Sequence, residues 1–327
     1  MMKSVGVLSP GAGYRLEICE RPIPRPREGE LLIKVLSAGL NHADILQSKG
    51  RYPPPHGASK ILGLEVSGIV AQIGGNSSPY PVGQRVCALV GGGGYAEYVV
   101  ASTKCTLPAP TSVNGRDMAA FPEAMFTVWK NLFHIAALRP GETVLVHGGS
   151  SGIGVSAIQL LSKRGHAVFT TVGTDKKAKT CETLGAKRAI NYNEKDFVKV
   201  IEAEVGRNCI DVILDMVGGD YIQRNLSVAA PGGRIVNIAY MKGTKAEIDF
   251  SAVLAKNLIL AASTLRNKSD EEKGLIRDAL LRDVWPLIAS QEIVPIVGAR
   301  FPLSEAGKAH ALMRSGENTG KILLDIA

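Results

Sequence analysis

The residues with the clearest chemical potential form a glycine-rich turn after an apolar strand. A strand predicted over 143–147 runs into Gly148-Gly-Ser-Ser-Gly152-Ile-Gly154 and then into a helix. Gly148 and Gly152 permit a tight turn that brings the backbone close to a pyrophosphate, and Gly154 lets the helix lie against the strand. The helix N-terminus offers free N–H groups to phosphate oxygens. The spacing departs from G-x-G-x-x-G, so the glycines alone also fit a turn that binds nothing. Because strand, turn and helix occur in the order of a βαβ unit, the segment predicts a nucleotide-binding turn.

The end of the second predicted strand, 167–172, bears on the charge of the nucleotide. Sites for NAD usually place an Asp or Glu there, roughly 20 residues further on, to hold the ribose hydroxyls. Asp175 could take that role. However, Thr174 is a good N-cap for the next helix, which places Asp175 in a first turn, where the helix dipole favours a carboxylate. Thr174, Lys177 and Tyr192 could instead bind a 2′-phosphate, and we favour NADPH over NADH.

The second half of the chain alternates apolar strands with helices, which is the pattern of a doubly wound parallel sheet. Six strands in this rhythm fit the order 3-2-1-4-5-6 of dinucleotide-binding sheets. The predicted strands are 143–147, 167–172, 187–191, 210–215, 234–239 and 258–263. The predicted helices are 153–164, 175–184, 194–205, 218–229 and about 250–256. We therefore assign an α/β Rossmann domain to residues 124–265.

The first third of the chain is rich in glycine, proline and short β-type runs bounded by turn residues. Such runs, exemplified by 30–35, 66–71 and 85–90, are typical of an irregular, barrel-like β domain. The last third predicts a long helix, about 269–290, followed by short strands near 296–300 and 321–326. These elements are too few to stand alone. We therefore expect residues 266–327 to pack back against residues 1–123 in one domain.

The composition limits the class of protein. The 327 residues exceed one ordinary core, and 45% hydrophobic with 21% charged residues is usual for a globular protein. The formal net charge is +8, but the basic residues do not form a run, which favours a polyanionic cofactor over nucleic acid. Five cysteines without a Cys-x-x-Cys motif favour neither a disulfide framework nor a structural zinc lobe. No run of 18 apolar residues occurs, so we expect no membrane span and a cytoplasmic protein.

Short motifs along almost the whole chain are most informative when taken together. They include Asn41-His-Ala-Asp44, Arg51-Tyr-Pro-Pro-Pro55, Gly63-Leu-Glu65-Val-Ser-Gly68, Gly83-Gln-Arg-Val86, Leu184-Gly-Ala186, Ser263-Thr-Leu-Arg266 and Asn318-Thr-Gly-Lys321. With the glycine-rich turn, this set resembles the medium-chain dehydrogenase/reductases, and within them the zeta-crystallin-like quinone oxidoreductases. The resemblance implies a GroES-like β-barrel catalytic domain combined with the Rossmann domain.

The resemblance also bears on metal binding. Zinc-dependent members of this superfamily carry a Cys near the position of Leu40-Asn41 and a Gly-His-Glu where this chain has Gly63-Leu64-Glu65. A catalytic zinc needs three protein ligands and an open position, so the ligand set is broken here. We expect His42, beside Asp44, to be a surface or packing residue and Glu65 to be a structural carboxylate. The chain looks like a zinc-free member, and we expect no metal.

The resemblance implies roles for individual residues. Asn41 and Tyr52 are the candidate catalytic residues, and Tyr52 with the glycines at 91–94 would border the substrate mouth. Tyr52 could equally be an aromatic residue clamped by three prolines in a turn. The implied contacts to NADPH are Ser151, Gly152 and Ile153 at the pyrophosphate, Gly173, Thr174, Lys177 and Tyr192 at the adenosine phosphate, and Asn41, Thr127, Ile238, Ala239, Tyr240, Leu265 and Asn318 at the nicotinamide half, with lesser contacts from Arg266 and Lys321.

By resemblance the chain is an NADPH-dependent quinone reductase and a homodimer. The nearest alternative is an alkenal or enoyl-thioester reductase, which uses the same cofactor on a conjugated double bond. An alternative of another class is a non-catalytic, crystallin-like protein that binds NADPH or RNA, for which the net charge of +8 is the only support. A quinone accepts hydride to give a stabilised hydroquinone anion, whose oxygen can take its proton from water. We therefore expect positioning of the reactants to matter and no dedicated protein acid to be needed.

Overall fold

The computed structural model describes residues 1–326 of the chain. The chain folds into two compact units. We call the first, Met1–Phe126 with Arg266–Ala327, the barrel unit, and the second, Thr127–Leu265, the nucleotide unit. The sequence-based division had its first boundary between residues 123 and 124. That division into domains stays a prediction.

Strands and helices are numbered here in chain order. The strands are β1 (Met2–Leu8), β2 (Arg15–Arg21), β3 (Glu30–Gly39), β4 (Glu65–Ile73), β5 (Arg85–Leu89), β6 (Tyr98–Ser102), β7 (Thr106–Pro108), β8 (Val144–His147), β9 (Val168–Val172), β10 (Arg188–Asn191), β11 (Ile210–Asp215), β12 (Ala229–Asn237), β13 (Ile259–Ala262), β14 (Val297–Pro302) and β15 (Lys321–Asp325). The α-helices are α1 (His42–Ser48), α2 (Pro122–Trp129), α3 (Gly152–Lys163), α4 (Asp175–Thr183), α5 (Phe197–Val205), α6 (Tyr221–Val228), α7 (Phe250–Lys256), α8 (Asp270–Asp283), α9 (Trp285–Ala289) and α10 (Ala306–Ser315).

The nucleotide unit contains a six-stranded sheet in the order β10-β9-β8-β11-β12-β13, and every neighbouring pair is parallel. This confirms the predicted order 3-2-1-4-5-6. The central strand β8 is buried along its whole length, and β9 is too. Such continuous burial is expected because helices cover both faces of a parallel sheet.

One strand of this sheet differs from its prediction. The structure has β12 over Ala229–Asn237, whereas the sequence predicted 234–239. The strand begins directly after α6, because its pairing with β11 starts at Ala229 and resumes at Arg234 after a register shift. It also ends two residues early, so Ile238 and Ala239 lie in the loop that follows the sheet rather than in the sheet.

The barrel unit is built on a seven-stranded sheet in the order β14-β15-β3-β4-β5-β7, with β6 paired to β3, and on the β1-β2 hairpin. Apolar residues from β3, β4, β5 and β15 form its core. The ten-residue strand β3 contacts β4, β6 and β15, so it organises the sheet. The predicted irregular β domain is thereby confirmed.

The single helix predicted over 269–290 is wrong in detail, because the structure has two helices there. Helix α8 starts at a capping box in which the Ser269 side chain accepts from the Glu272 backbone, and it ends at Asp283. Pro286 lies in the first turn of α9. Proline has no N–H to donate and its ring clashes with the carbonyl four residues earlier, so one continuous helix through this point is disfavoured. Within residues 1–326, no helix is long and apolar enough to cross a membrane.

Candidate active site

The glycine-rich turn after β8 folds as a nucleotide-binding turn requires. Gly148 has φ +71°, and a Cβ on Gly154 would clash with the carbonyl oxygen of Gly148. The Ser151 side chain caps α3 by accepting from the Gly154 N–H at 3.0 Å. In the part of the chain that the structure describes, the N–H groups of Gly152 and Ile153 have no acceptor, as expected for the first positions of a helix. A phosphate group fits this need, because it supplies acceptor oxygens and negative charge at the helix N-terminus.

The residues predicted to bind the adenosine phosphate follow β9 and the neighbouring strand β10. Thr174 is the N-cap of α4, and its hydroxyl accepts from the Lys177 N–H at 3.3 Å. The hydroxyl of Tyr192 lies so close to Gly173 that a Cβ there would be 2.8 Å away. Asp175 accepts a hydrogen bond from the Asn191 side chain at 3.0 Å. The structure therefore groups Gly173, Thr174, Lys177 and Tyr192, and it ties Asp175 to the end of the neighbouring strand.

The loop after β12 contains three residues predicted at the nicotinamide. The Ile238 N–H donates to the Asp215 carbonyl at 2.8 Å, which fixes the start of the loop beside the end of β11. The Tyr240 ring packs over Gly218, which has φ +66° and has no room for a Cβ. Ala239 lies between these two anchors and is partly buried.

Two further predicted residues lie at the ends of the nucleotide unit. Thr127 is buried, and its carbonyl accepts from the Asn131 side chain at 2.8 Å. Asn131 in turn accepts from the Ser263 hydroxyl at 2.7 Å, two residues before the buried Leu265. These bonds connect the first and last segments of the unit through side chains that the sequence did not single out.

A buried polar chain below the nucleotide-binding turn was missed from the sequence. His147, the last residue of β8, lies between the Thr171 hydroxyl at 2.9 Å and the Asn225 side chain at 2.7 Å. Asn225 donates to the Asp215 carboxylate at 3.0 Å. Burial lowers the pKa of His147, so the ring is neutral near pH 7. In the sequence, one histidine at the end of an apolar strand does not indicate this role, apart from its position next to Gly148.

In the barrel unit, Asn41, Glu65 and Lys321 form a fully bonded cluster. The Lys321 ammonium donates to the Leu40 carbonyl at 2.9 Å, to the Asn41 side chain at 2.8 Å, and to Glu65. The Asn41 amide group donates to Glu65 at 2.8 Å. Glu65 and Lys321 are both buried. All three N–H groups of Lys321 thus serve the protein, and Lys321 holds Asn41 in place. The expected structural role of Glu65 agrees with this geometry.

Asp44 fixes the backbone on which Asn41 stands. It completes a capping box at the start of α1, where its carboxylate accepts from the Asn41 N–H at 2.9 Å. It also accepts from the Gly63 N–H at 2.8 Å and from the Tyr95 hydroxyl at 3.2 Å. Burial raises the pKa of Asp44 to about 6, although these donors counteract the effect. The Tyr95 hydroxyl continues to the buried His310 ring at 3.3 Å.

Tyr52 and Arg266 form a second group in the barrel unit. The Arg266 guanidinium donates to the Gly91 carbonyl at 3.0 and 2.8 Å and to the Gln47 side chain at 2.7 Å. It also lies 5.4 Å from the centre of the Tyr52 ring, a cation–π distance. Burial raises the pKa of Tyr52, so its hydroxyl keeps its proton at neutral pH. Arg266 therefore anchors both Tyr52 and the glycine run at 91–94.

Asn318 lies in the turn before β15 and is partly buried. Its side-chain amide donates to the Gly320 carbonyl at 2.7 Å, which closes the turn. A Cβ on Gly298 would clash with the Asn318 side chain, so the neighbouring strand β14 approaches it closely. The bond fixes the Asn318 side chain, three residues before Lys321.

The residues do not fit a zinc ion. No group of three or more His, Cys, Asp or Glu side chains among residues 1–326 is arranged to hold a metal. Leu64, at the position of the usual histidine, is buried in the apolar interior. His42 keeps no close carboxylate partner in the described structure, and burial lowers its pKa.

Comparison with known proteins places this geometry in a family. Residues 27–111 match the alcohol dehydrogenase GroES-like domain, and residues 184–324 match a domain described as zinc-binding dehydrogenase. Human quinone oxidoreductase is 30% identical over 330 residues, which cover 99% of this chain and 98% of that protein. The chain therefore belongs to the medium-chain dehydrogenase/reductase family of oxidoreductases, among its quinone oxidoreductase-like members.

Two other proteins that are similar to this chain differ in length and in what is known of them from their names. A mycobacterial protein solved in complex with NADPH has a TM-score of 0.86 and 28% identity, covering 99% of this chain and all of that one. A phenolphthiocerol/phthiocerol polyketide synthase of Mycobacterium tuberculosis is 31% identical over 319 residues. Those residues cover 97% of this chain but 14% of that protein, so the chain spans only a small part of this much longer relative.

We predict that the purified protein contains no stoichiometric metal and needs none, because Leu64 stands in place of the usual histidine ligand and no cysteine lies near Leu40-Asn41. Elemental analysis and turnover after dialysis against a chelator measure this. Stoichiometric zinc whose removal abolishes turnover would contradict the prediction.

Proposed function

We propose that this protein is a zinc-independent, NADPH-dependent quinone reductase. The nucleotide-binding turn supports the proposal most directly, because its two amides without acceptors match a pyrophosphate. The full-length similarity to human quinone oxidoreductase supports the quinone as acceptor.

The chain's own residues would bind and orient the reactants. The reduced nicotinamide supplies the hydride when it is bound. The amides of Gly152 and Ile153 would hold the pyrophosphate, and Thr174, Lys177 and Tyr192 would hold the 2′-phosphate. Asn41, whose side chain is held in one orientation by Glu65 and Lys321, would contact the ribose and the acceptor. A side chain held in one orientation lowers the activation barrier, because a well-placed reactant loses little entropy on reaching the transition state.

NADPH is favoured over NADH by the state of Asp175. A carboxylate that selects NAD accepts a hydrogen bond from the ribose. Here Asp175 already accepts from Asn191, and it stands in the first turn of α4, behind the Thr174 cap. The similar mycobacterial protein was solved with NADPH, which agrees with this proposal.

A second candidate function is the reduction of a conjugated double bond in an enal or an enoyl thioester. The similarity to part of a polyketide synthase favours it. A screen of NADPH oxidation over quinones, enals and enoyl thioesters separates the two, since the proposal expects the highest kcat/KM on quinones. Turnover confined to enals or enoyl thioesters would replace it, and salt-sensitive retention of RNA without any turnover would favour a non-catalytic protein.

We predict that Lys177→Ala narrows the preference for NADPH by one to two decades in affinity. A charge-assisted hydrogen bond to phosphate contributes about 1.5–3 kcal/mol, and NADH lacks that phosphate. Kd values for both cofactors measure the effect, and NADH binding should stay unchanged. Lys176→Ala is the matched control, because it removes the same charge from the exposed neighbouring position. A wild-type preference for NADH would instead assign Asp175 to the ribose.

We predict that Asn41→Ala lowers kcat far more than Tyr52→Phe with a simple quinone. Displacing a positioning group by about 1 Å can cost on the order of 10² in rate, whereas Tyr52→Phe keeps the ring against Arg266. Steady-state kinetics measure both variants, with Tyr98→Phe as a control on β6. A loss of about 10³ in kcat for Tyr52→Phe with unchanged NADPH affinity would make Tyr52 a proton donor.

We propose further that two copies of the chain form a dimer through β13 and α7. Strand β13 is an edge strand of its sheet, and edge strands can pair with another chain. Ile259 is 56% exposed on this strand, and Leu254 is 80% exposed on α7. We predict a dimer in analytical ultracentrifugation that Ile259→Lys dissociates, whereas Leu275→Lys, at an exposed position of α8, leaves it intact. A wild-type monomer would contradict the proposal.

A further inference from the structure

Glu123 is a carboxyl group of the barrel unit that the sequence did not single out. It lies in the first turn of α2, directly after Pro122. Its backbone N–H donates to the Glu65 carboxylate at 2.8 Å, so its position is tied to the cluster around Asn41. Most of the residue is enclosed by protein, and part of it remains accessible to solvent. An acid at a helix N-terminus is common, which is why its position carries no special signal in the sequence.

Three carboxyl groups lie in this region, and they differ in their hydrogen bonds. Asp44 accepts from Asn41, Gly63 and Tyr95. Glu65 accepts from the Asn41 side chain, from Lys321 and from the Glu123 backbone. The Glu123 carboxyl receives no hydrogen bond from any other residue in the described chain. Hydrogen bonds from the protein stabilise the ionised form of a carboxyl group, and Glu123 alone of the three lacks them.

The charges that face Glu123 come from several elements. Glu65 on β4 and Asp44 on α1 repel a negative charge there, whereas Lys321 on β15 and Lys273 on α8 attract one. Lys321 is committed to Glu65, and Lys273 donates to the Arg266 carbonyl at 3.2 Å. Burial and then the neighbouring Glu65 raise the pKa of Glu123 to about 8.

Glu123 is also electrostatically coupled to the predicted substrate mouth. Its charge raises the pKa of Tyr52, after the larger effect of burial, whereas Arg266 lowers it. Glu123 therefore influences Tyr52 electrostatically, and its backbone N–H is bonded to Glu65, the carboxylate that also accepts from the Asn41 side chain. It is an acidic group that accepts no hydrogen bond in the described chain, and its backbone is bonded to the carboxylate that holds Asn41.

We propose that the Glu123 carboxylic acid donates the proton that completes reduction of the acceptor. The inference rests on the proposed function. Hydride adds two electrons and one hydrogen nucleus to the acceptor and leaves it an anion. The Glu123 O–H bond then breaks, a new bond from that proton to the anion forms, and the glutamate takes a proton back from water. The net reaction consumes one reduced nicotinamide and one solvent proton for each acceptor. Glu123 thus replaces water as the direct proton source.

Glu123→Gln tests this, because it keeps the size of the side chain and the backbone bond to Glu65 but cannot release a proton. Wild-type kcat should be constant at lower pH and fall as pH rises through about 8, since the acid form is lost there. The variant should lose that limb, and its kcat at pH 7 should drop by about 100-fold, the lower end of general-acid effects. NADPH affinity should not change. Glu20→Gln, the matched control at an exposed position of β2, should keep the limb.

A second measurement does not depend on turnover. Infrared difference spectra of the protein titrated without substrate should show one protonated carboxyl C=O band that disappears with a midpoint near pH 8. Glu123→Gln should lack this band, and Glu123→Asp should retain a titrating band. Thermal unfolding verifies that the variants are folded. Wild-type kinetics in Glu123→Gln, or the same band in that variant, would overturn the inference. A wild-type protein that shows the band but reduces no quinone would refute the proposed function instead.

Discussion

The barrel unit depends on a buried ion pair, Lys321 with Glu65, that crosses the central strand β3. The two residues begin β15 and β4, the strands on either side of β3. Taking both charges out of water is costly, and the pair persists because every N–H of Lys321 and both oxygens of Glu65 have partners. Removing one member of such a pair typically costs about 3–5 kcal/mol. Asn41 is hydrogen-bonded to both residues of the pair, so these bonds fix the orientation of its side chain.

That arrangement also sets the protonation of the surrounding acids. Among the three carboxyl groups, the Lys321 ammonium donates to Glu65 only. Asp44 is mostly ionised at neutral pH, because two backbone amides and the Tyr95 hydroxyl donate hydrogen bonds to it and limit the rise of its pKa to about 6. The Glu123 carboxyl accepts a hydrogen bond from neither an ammonium group nor a backbone amide in the described chain. Its protonated, uncharged form is therefore favoured at neutral pH. The same low-polarity surroundings that make the ion pair strong therefore leave one acid with a proton at neutral pH.

The nucleotide unit is governed by a different constraint, the close approach of α3 to β8. Gly154 must lack a side chain because the Gly148 carbonyl occupies that space. The turn is supported from below by His147, which is neutral and bonded on both ring nitrogens. A rigid support of this kind keeps the first amides of α3 in fixed directions. Anion binding there then costs little reorganisation.

The sequence by itself determined the classes of element and their order, because periodicity and glycine spacing are local properties. It predicted the parallel sheet, its strand order and the turn after β8, and the motifs predicted the family. It misplaced the end of β12 and fused α8 with α9, since pairing register and a proline in a first turn decide such boundaries. Only the tertiary structure showed that Lys321 meets Asn41 and Glu65, residues more than 250 positions away in the chain. It alone distinguished Glu123 from an ordinary helix-start acid, because burial, neighbouring charge and missing donors are properties of three-dimensional surroundings.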